Sequence, residues 1–412
     1  MNLLPLPTAS DWRYASPSRG QGEVVDGKFL LSGAPLSYGV FRCETPLACG
    51  WARLEAACQT EGLASPETAA TVMISFFTAD GSPLRRQYAD AKQGEAPGAL
   101  RFSRLYKVPE GTAYCSVELA LRWPLGGRAA FDRPGLMESE PPAERLARIV
   151  VTNFHRRTHE IAWPDRISAL FDAIGPCGPD LICLSEMVHL RDKPGSPREA
   201  AESIDGQFTA CLSGLAVKHN TYVIGNFLES DQGDLFNTSV LIDRNGGLAG
   251  LYRKTHLPLS EVEGGSSPGS IYPVFDTDFA SVGLVICWDL AFPEPMRLLR
   301  LNGAELAVCA SMGDFWPQDS VRARDNGLWL AVAGTDQQPS TPFPPSRIYD
   351  PTGKLIAAAC NGQADSFAFA DVDFNRRYYQ YWASVGPCDG EPPSLFVTER
   401  RPETYLLNRI IT

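Results

Sequence analysis

The 412-residue chain reads as two domains of different class, an all-β sandwich followed by an α/β domain. Three observations predict this. Runs before about residue 137 alternate apolar and polar side chains with the two-residue period of half-buried strands. A stiff, acidic stretch, "ESEPPAERLA", then interrupts the chain at Pro141-Pro142. Beyond it, short apolar runs alternate with segments of period 3.6, the pattern of an α/β domain with a substantial sheet.

In the first domain, residues 1–137, "ATVMISFFTADG" places Val72, Ile74 and Phe76 on one face and ends in an Asp80-Gly81 turn. "AYCSVELALRW" directs Cys115, Val117, Leu119, Leu121 and Trp123 inward and Ser116, Glu118 and Arg122 outward. "WPLGGRAAFDRPGLME" supplies turns and a closing strand. After the linker, 138–146, the second domain spans 147–412. "ARIVVTNF" is a buried strand, and "WPDRISALFDAIGPCG" a helix with Ile167, Leu170, Phe171 and Ile174 on one face and Pro164 in its first turn. "DLICLSE" is a strand, "QFTACLSGLAVKHN" a helix carrying Phe208, Cys211, Leu212 and Leu215, and "TYVIGNFLE" a strand. "LFNTSVLID" and "GLAGLYRKTH" form a hairpin around Arg244-Asn245-Gly246-Gly247. "VGLVIC" leads to helix "EPMRLLRLNG", strand "ELAVCAS", helix "SVRARDNG" and strand "LWLAVAGT".

Composition excludes several functions. With 44% hydrophobic and 21% charged residues and a formal charge of −11, the chain is a soluble protein unsuited to nucleic acid or an anionic membrane surface. No apolar run reaches the ~18 residues of a membrane span. "MNLLPLPTASDW" lacks the basic n-region of a secretory signal. The 11 cysteines are odd in number and sit mostly in apolar runs, as reduced thiols of a cytoplasmic protein do. There is no C-x-x-C pair, and His155 and His159 at helical spacing lack the glutamate of a zinc-protease motif, so no metal is expected.

Chemistry concentrates where strands end. Glu186 closes "LICLSE", Lys254 closes "LAGLYRK" and Cys287 closes "VGLVIC". Ligands gather at the carboxyl ends of strands in open α/β sheets. There a glutamate can take a thiol proton, and a lysine can hold the oxyanion formed when sulfur adds to a carbonyl. The N–H of Trp288, just past the cysteine, is a second oxyanion donor. Each residue also has a bland reading: Cys287 as a small buried hydrophobe, and Glu186 with Lys254 as a structural ion pair that would equally serve the chemistry. His256, two residues past Lys254, reads as ordering its loop, not as a Cys–His dyad. Asp289 and Glu294 suit the N-terminus of the following helix. Arg322, Arg324 and Asp325 read as a charge network, and "EGGSSPGS" as a loop without the lysine of a phosphate site.

The motifs "DLICLSEM", "YRKTHLP" and "ICWDLAFPE…LLRLNGAEL", supported by "FNTSVLID", "VRARDNGLWLAVAG" and "SRIYDPTGKLIA", resemble those of the nitrilase superfamily of carbon–nitrogen hydrolases over residues 147–375. The resemblance implies a nitrilase-like α-β-β-α sandwich that pairs into homodimers or larger homo-oligomers and needs no cofactor. It implies Cys287 as nucleophile, Glu186 as general base and Lys254 as oxyanion stabiliser. The second glutamate of the family is Glu261 or Glu263, and the "K-x-H-L-P-x-x-E" spacing favours Glu261. Trp288, Phe315 and Trp316 would wall the substrate pocket. The implied reaction is hydrolysis of a non-peptide C–N bond in a small amide or N-carbamoyl substrate, through a thioester, with release of ammonia or an amine.

Asp289 after the Cys-Trp pair is similar to the amidase and carbamoylase branches. Ala310-Ser311 departs from the family's common Pro-Ser. The first domain, in "VPEGT…VELALRW…GGRAAFD", resembles jelly-roll carbohydrate-binding modules and so implies a glycan partner, beside which a structural or dimer-forming sandwich stands as the alternative. Rival readings of the whole are a nitrile-hydrolysing nitrilase and a glycan-binding protein with a non-catalytic hydrolase scaffold. An acyltransferase is a third, although the lipid-modifying branch of the family is membrane-embedded.

Overall fold

The computed structural model describes residues 3–4, 6–155, 161–190, 197–335, 346–360 and 364–405; His159 of the histidine pair lies outside them. The chain divides into two compact units: Met1–Ala143 with the segment beginning at Arg377, and Glu144–Arg376. Among the described residues no helix is long and apolar enough to cross a membrane.

The first unit is β-rich. Thirteen strands among the described residues hydrogen-bond into one continuous sheet, which includes the long hairpin Arg13–Val25 and Lys28–Pro46. Alternate residues of its strands meet in a single core: Phe29, Leu31, Phe41, Leu54, Val72, Ile74, Phe76, Phe102, Val117, Leu119 and Phe131. The sheet therefore curls around its own apolar face. Cys115, Val117, Leu119 and Leu121 point inward as their alternation predicts. Trp123 falls just past the end of that strand, at φ +49°, and is half-buried. The closing stretch holds two strands, Arg128–Phe131 and Gly135–Glu138.

The expected outward face of Tyr114–Arg122 is not solvated: Ser116, Glu118 and Arg122 are buried too. Glu118 pairs with Arg42 at 2.7 Å and Arg86 at 3.4 Å, and Arg122 donates to the carbonyls of Thr68 (2.8 Å) and Thr398 (2.7 Å). The cover comes from the C-terminal segment. Asp389–Gly390 pairs with Gln380–Tyr381 and, in parallel, with Arg85 of the strand Pro83–Tyr88. Val385, Cys388 and Leu395 pack on Met73 and Tyr88. Buried Glu391 pairs with buried Arg104 and accepts Gln87 Nε2 at 2.9 Å. The expectation that the α/β domain runs to 412 thus differs from the structure, in which the chain from Arg377 supplies the partners for polar groups on this β face.

The second unit holds two six-stranded sheets. The first runs Leu248–Arg253, Asp234–Ile242, Tyr222–Asp231, Leu181–Cys183, Leu146–Asn153, Ser366–Asp373. The second runs Val274–Asp276, Ser281–Ile286, Leu306–Ala310, Trp329–Ala333, Arg347–Tyr349, Leu355–Ala358. Helices Trp163–Ile174 and Gln207–His219 cover the outer face of the first sheet through Ile167, Phe171, Phe208 and Leu212 against Val150, Ile182 and Val223. Helices Pro293–Leu301 and Gln318–Asn326 do the same for the second, with Met296, Leu299 and Ala323 against Val285, Cys309 and Leu330. Ile149, Val151, Leu284 and Val308 are equally buried and, by the two-residue period, face the other way. Both faces of each sheet are covered, which is why these strands read as unbroken apolar runs.

Candidate active site

The parallel strands of both sheets deliver their carboxyl ends to one place. Glu186 stands three residues past Leu181–Cys183 and is 2% exposed. Lys254 follows Leu248–Arg253 directly, its N–H bonded to the Asn237 carbonyl at 2.9 Å and its own carbonyl accepting Gly269 N–H at 2.8 Å. The glycine-rich loop thus pins the lysine; a Cβ on Gly269 would stand 2.1 Å from the Arg253 carbonyl oxygen. Cys287 comes one residue past Ser281–Ile286, at φ +44°, and opens a 3-10 turn ending at Ala291. A left-handed backbone costs a non-glycine residue roughly 1–2 kcal/mol. Such strain recurs where a sharp strand-to-helix turn thrusts a side chain out of the sheet.

Lys254 is the centre of the cluster, its side chain 0% exposed. Its Nζ donates to Glu186 Oε1 at 3.1 Å and contacts Glu261 Oε1 still more closely. Asn237 Nδ2 donates to the same two groups, to Glu186 Oε1 at 2.8 Å and to Glu261 Oε2 at 3.2 Å. Glu186 Oε2 accepts the Met312 N–H at 2.8 Å. That segment also borders the thiol, since a Cβ on Gly313 would lie 3.6 Å from Cys287 Sγ. Of the two candidate second glutamates, Glu261 joins the cluster, while Glu263 is exposed.

Burial pushes the Cys287 thiol up to about 12, and the Glu186 carboxylate adds to the rise; Lys254, the Met312 N–H and Ser311 work against it. At neutral pH the sulfur therefore carries its proton until a base removes it. Burial also opposes the Lys254 ammonium, but Glu186, Cys287 and Glu261 outweigh it and hold its pKa above the usual lysine range. Burial raises the Glu261 pKa, against the pull of Lys254.

The surroundings tie the two strand ends together. Buried Asp289 accepts Ile286 N–H at 3.0 Å, Tyr252 OH at 2.7 Å and His256 N–H at 3.0 Å, and its Oδ1 lies 2.9 Å from His256 Nδ1. It thus caps the cysteine turn, as its position suggests, and clamps that turn to the lysine loop. His256 stacks on Phe292, centroids 4.1 Å apart. Arg322 donates to the carbonyls of Leu290, Ala291 and Phe292 at 3.1–3.2 Å, so it braces the cysteine turn instead of joining Asp325 in a charge network. Trp288, 40% exposed, lies 6.1 Å from half-buried Phe315, while Trp316 is 49% exposed. Asp314, beside Phe315, pairs with buried Arg347, which also meets Asp319 at 2.8 Å.

Asn226 and Asn237 escaped the sequence reading as site residues. The available signal was a carboxamide within each of two largely buried strands, because a buried amide must find partners.

Two facing sheets, each covered by helices, with a cysteine, a lysine and a glutamate just past strand ends and a second glutamate on the short helix Leu259–Glu263, define an α/β protein that gathers a thiol, an ammonium and two carboxylates in one site. The carbon-nitrogen hydrolase family model matches residues 164–379, and the chain belongs to that family. It is 38% identical over 200 residues to a probable nitrilase of Schizosaccharomyces pombe, covering 44% of this chain and 73% of that protein. It is 32% identical over 216 residues to a citrullinase of Francisella tularensis (46% and 71%) and 30% identical over 197 residues to the human ω-amidase NIT2 (43% and 71%). A carbon-nitrogen hydrolase structure from Helicobacter pylori superposes with a TM-score of 0.51 at 21% identity, covering 65% of this chain and 99% of that one. The family match begins after the first β-rich stretch.

Proposed function

We propose that the protein hydrolyses the C–N bond of a small amide or N-carbamoyl compound through a thioester on Cys287. The observation that carries this reading is the buried Lys254 held between Glu186 and Glu261 beside the cysteine turn. Glu186 takes the thiol proton as Sγ bonds to the carbonyl carbon. Lys254 Nζ and the Trp288 N–H hold the resulting oxyanion. The C–N bond breaks as Glu186 returns the proton to the departing nitrogen, which leaves as ammonia or an amine. Glu186 then deprotonates a water that attacks the thioester, and the released sulfur recovers its proton. Glu261 balances the Lys254 charge while Glu186 is protonated, so the ammonium never faces the oxyanion pocket unpaired.

Asp289 after the Cys-Trp pair supports the amide and carbamoyl branch, and the citrullinase and ω-amidase relatives lean the same way. The nitrilase relative keeps nitriles in the test. Ammonia release is measured from ω-amides, N-carbamoyl compounds and nitriles. Turnover of amides or carbamoyl compounds supports the reading, and turnover of nitriles alone replaces it with a nitrilase. The family resemblance also supports a homo-oligomer, checked by light scattering. A glycan on the first unit is checked by titration with soluble sugars.

A further inference from the structure

The Asn237 amide nitrogen is spent on the two carboxylates, and the direction of its amide is dictated from outside the site. The Met187 backbone N–H can only donate, and it donates to Asn226 Oδ1 at 3.0 Å. Asn226 must therefore turn its Nδ2 away, toward Asn237 Oδ1 at 2.9 Å and Ser239 Oγ at 3.2 Å. With its oxygen occupied, Asn237 presents Nδ2 to Glu186 and Glu261. Both asparagines are buried, at 0% and 1% exposure, so water does not compete for these bonds. Asn226 and Asn237 lie on the paired strands Tyr222–Asp231 and Asp234–Ile242, next to the strand that leads to Glu186 and the strand that leads to Lys254. The relay therefore runs across the sheet from a backbone group to the proton-handling carboxylates.

We propose that Asn237, oriented by Asn226, is a positioning residue that holds Glu186 and Glu261 aligned and supports their charged forms, and so shapes the pH dependence of Cys287 reactivity. This rests on the hydrolytic reading above. The charged and titratable groups facing the relay are Glu186, Glu261 and Lys254, with the Cys287 thiol beyond them. Two N–H donors favour the charged form of the carboxylates they touch. Without them the charged form of Glu261 loses one of its supports. A wrongly turned amide would do worse, because its oxygen would face two anions.

The test needs no substrate. Alkylation of Cys287 by iodoacetamide is followed by peptide mass spectrometry across pH in the full chain, with thermal unfolding as the folding control. In the wild type the rate falls on the acid side. Asn237→Ala is expected to move that acid limb up by about one pH unit and to slow alkylation near neutrality about tenfold. Asn226→Asp leaves Asn237 in place but offers its oxygen only acceptors, so the Asn237 amide reverses and the limb moves the same way. Ser239→Ala, which removes a partner of Asn226 without altering the direction of the relay, leaves the profile in place. A merely structural role would lower the melting temperature of the variants and leave the limb where it was. Acid limbs in Asn237→Ala and Asn226→Asp that coincide with the wild type overturn the proposal and spare the hydrolytic reading. If Glu186→Gln leaves the acid limb of Cys287 alkylation where the wild type has it, Glu186 is not the base, and the hydrolytic reading fails and this inference with it.

Discussion

At the residue scale, the chemistry follows from how few charges the site buries and how closely it pairs them. The thiol is raised first by burial and then by the Glu186 carboxylate. Glu186→Gln removes a negative charge and leaves the Lys254 cation, so the thiolate becomes less costly and the thiol titrates at lower pH. The same variant loses the base. Hydrolysis is expected to fall about 10³-fold while alkylation at alkaline pH begins earlier, a split read by running both assays on one preparation. Lys254→Met leaves two carboxylates packed together without their counter-charge, and urea unfolding is expected to show a loss of about 3–5 kcal/mol. The clustering of Glu186, Lys254 and Cys287 was legible because each follows an apolar strand within a distinctive motif. Asn226 and Asn237 were not, because their role lies in the direction of an amide, and that direction is fixed by a backbone N–H supplied from another element.

Elements position these residues through their ends, and the decisive contacts cross between chain segments far apart in sequence. Asp289 accepts donors from both the cysteine turn and the lysine loop. Asp289→Asn turns one accepting oxygen into a donor that faces donors. Unfolding is expected to become easier by about 2 kcal/mol or more, with kcat reduced as the cysteine turn loosens. Arg322→Ala removes three bonds to carbonyls in and just past the turn and is expected to lower kcat, since the turn carries the proposed nucleophile. The strands and helices themselves were readable from their periods. The partners of Arg322 were not: "VRARDNG" offers one acid close by, Asp325, and the structure uses distant carbonyls instead.

At the scale of the whole molecule, the two units are built by different rules. Glu144–Arg376 is a continuous stretch whose apolar runs announce their layers. The first unit is closed by a segment from the other end of the chain, and its two-residue strands Gln380–Tyr381 and Asp389–Gly390 are too short to show any period. Glu118 and Arg122 look solvent-facing by alternation alone, yet both are buried, Glu118 against Arg42 and Arg86 and Arg122 under the Thr398 carbonyl of the non-local segment. Glu391→Ala leaves Arg104 buried without its main counter-charge and is expected to destabilise the first unit by about 3–5 kcal/mol. The measurement is a lowered thermal transition alongside an unchanged rate of Cys287 alkylation.

The central claim is that Cys287 attacks the substrate carbon. Its most direct test is ammonia release from ω-amides and N-carbamoyl compounds by the wild type and by Cys287→Ala. The account predicts a loss of about 10³-fold or more in a variant that melts at the wild-type temperature. Equal rates for the two proteins would contradict it.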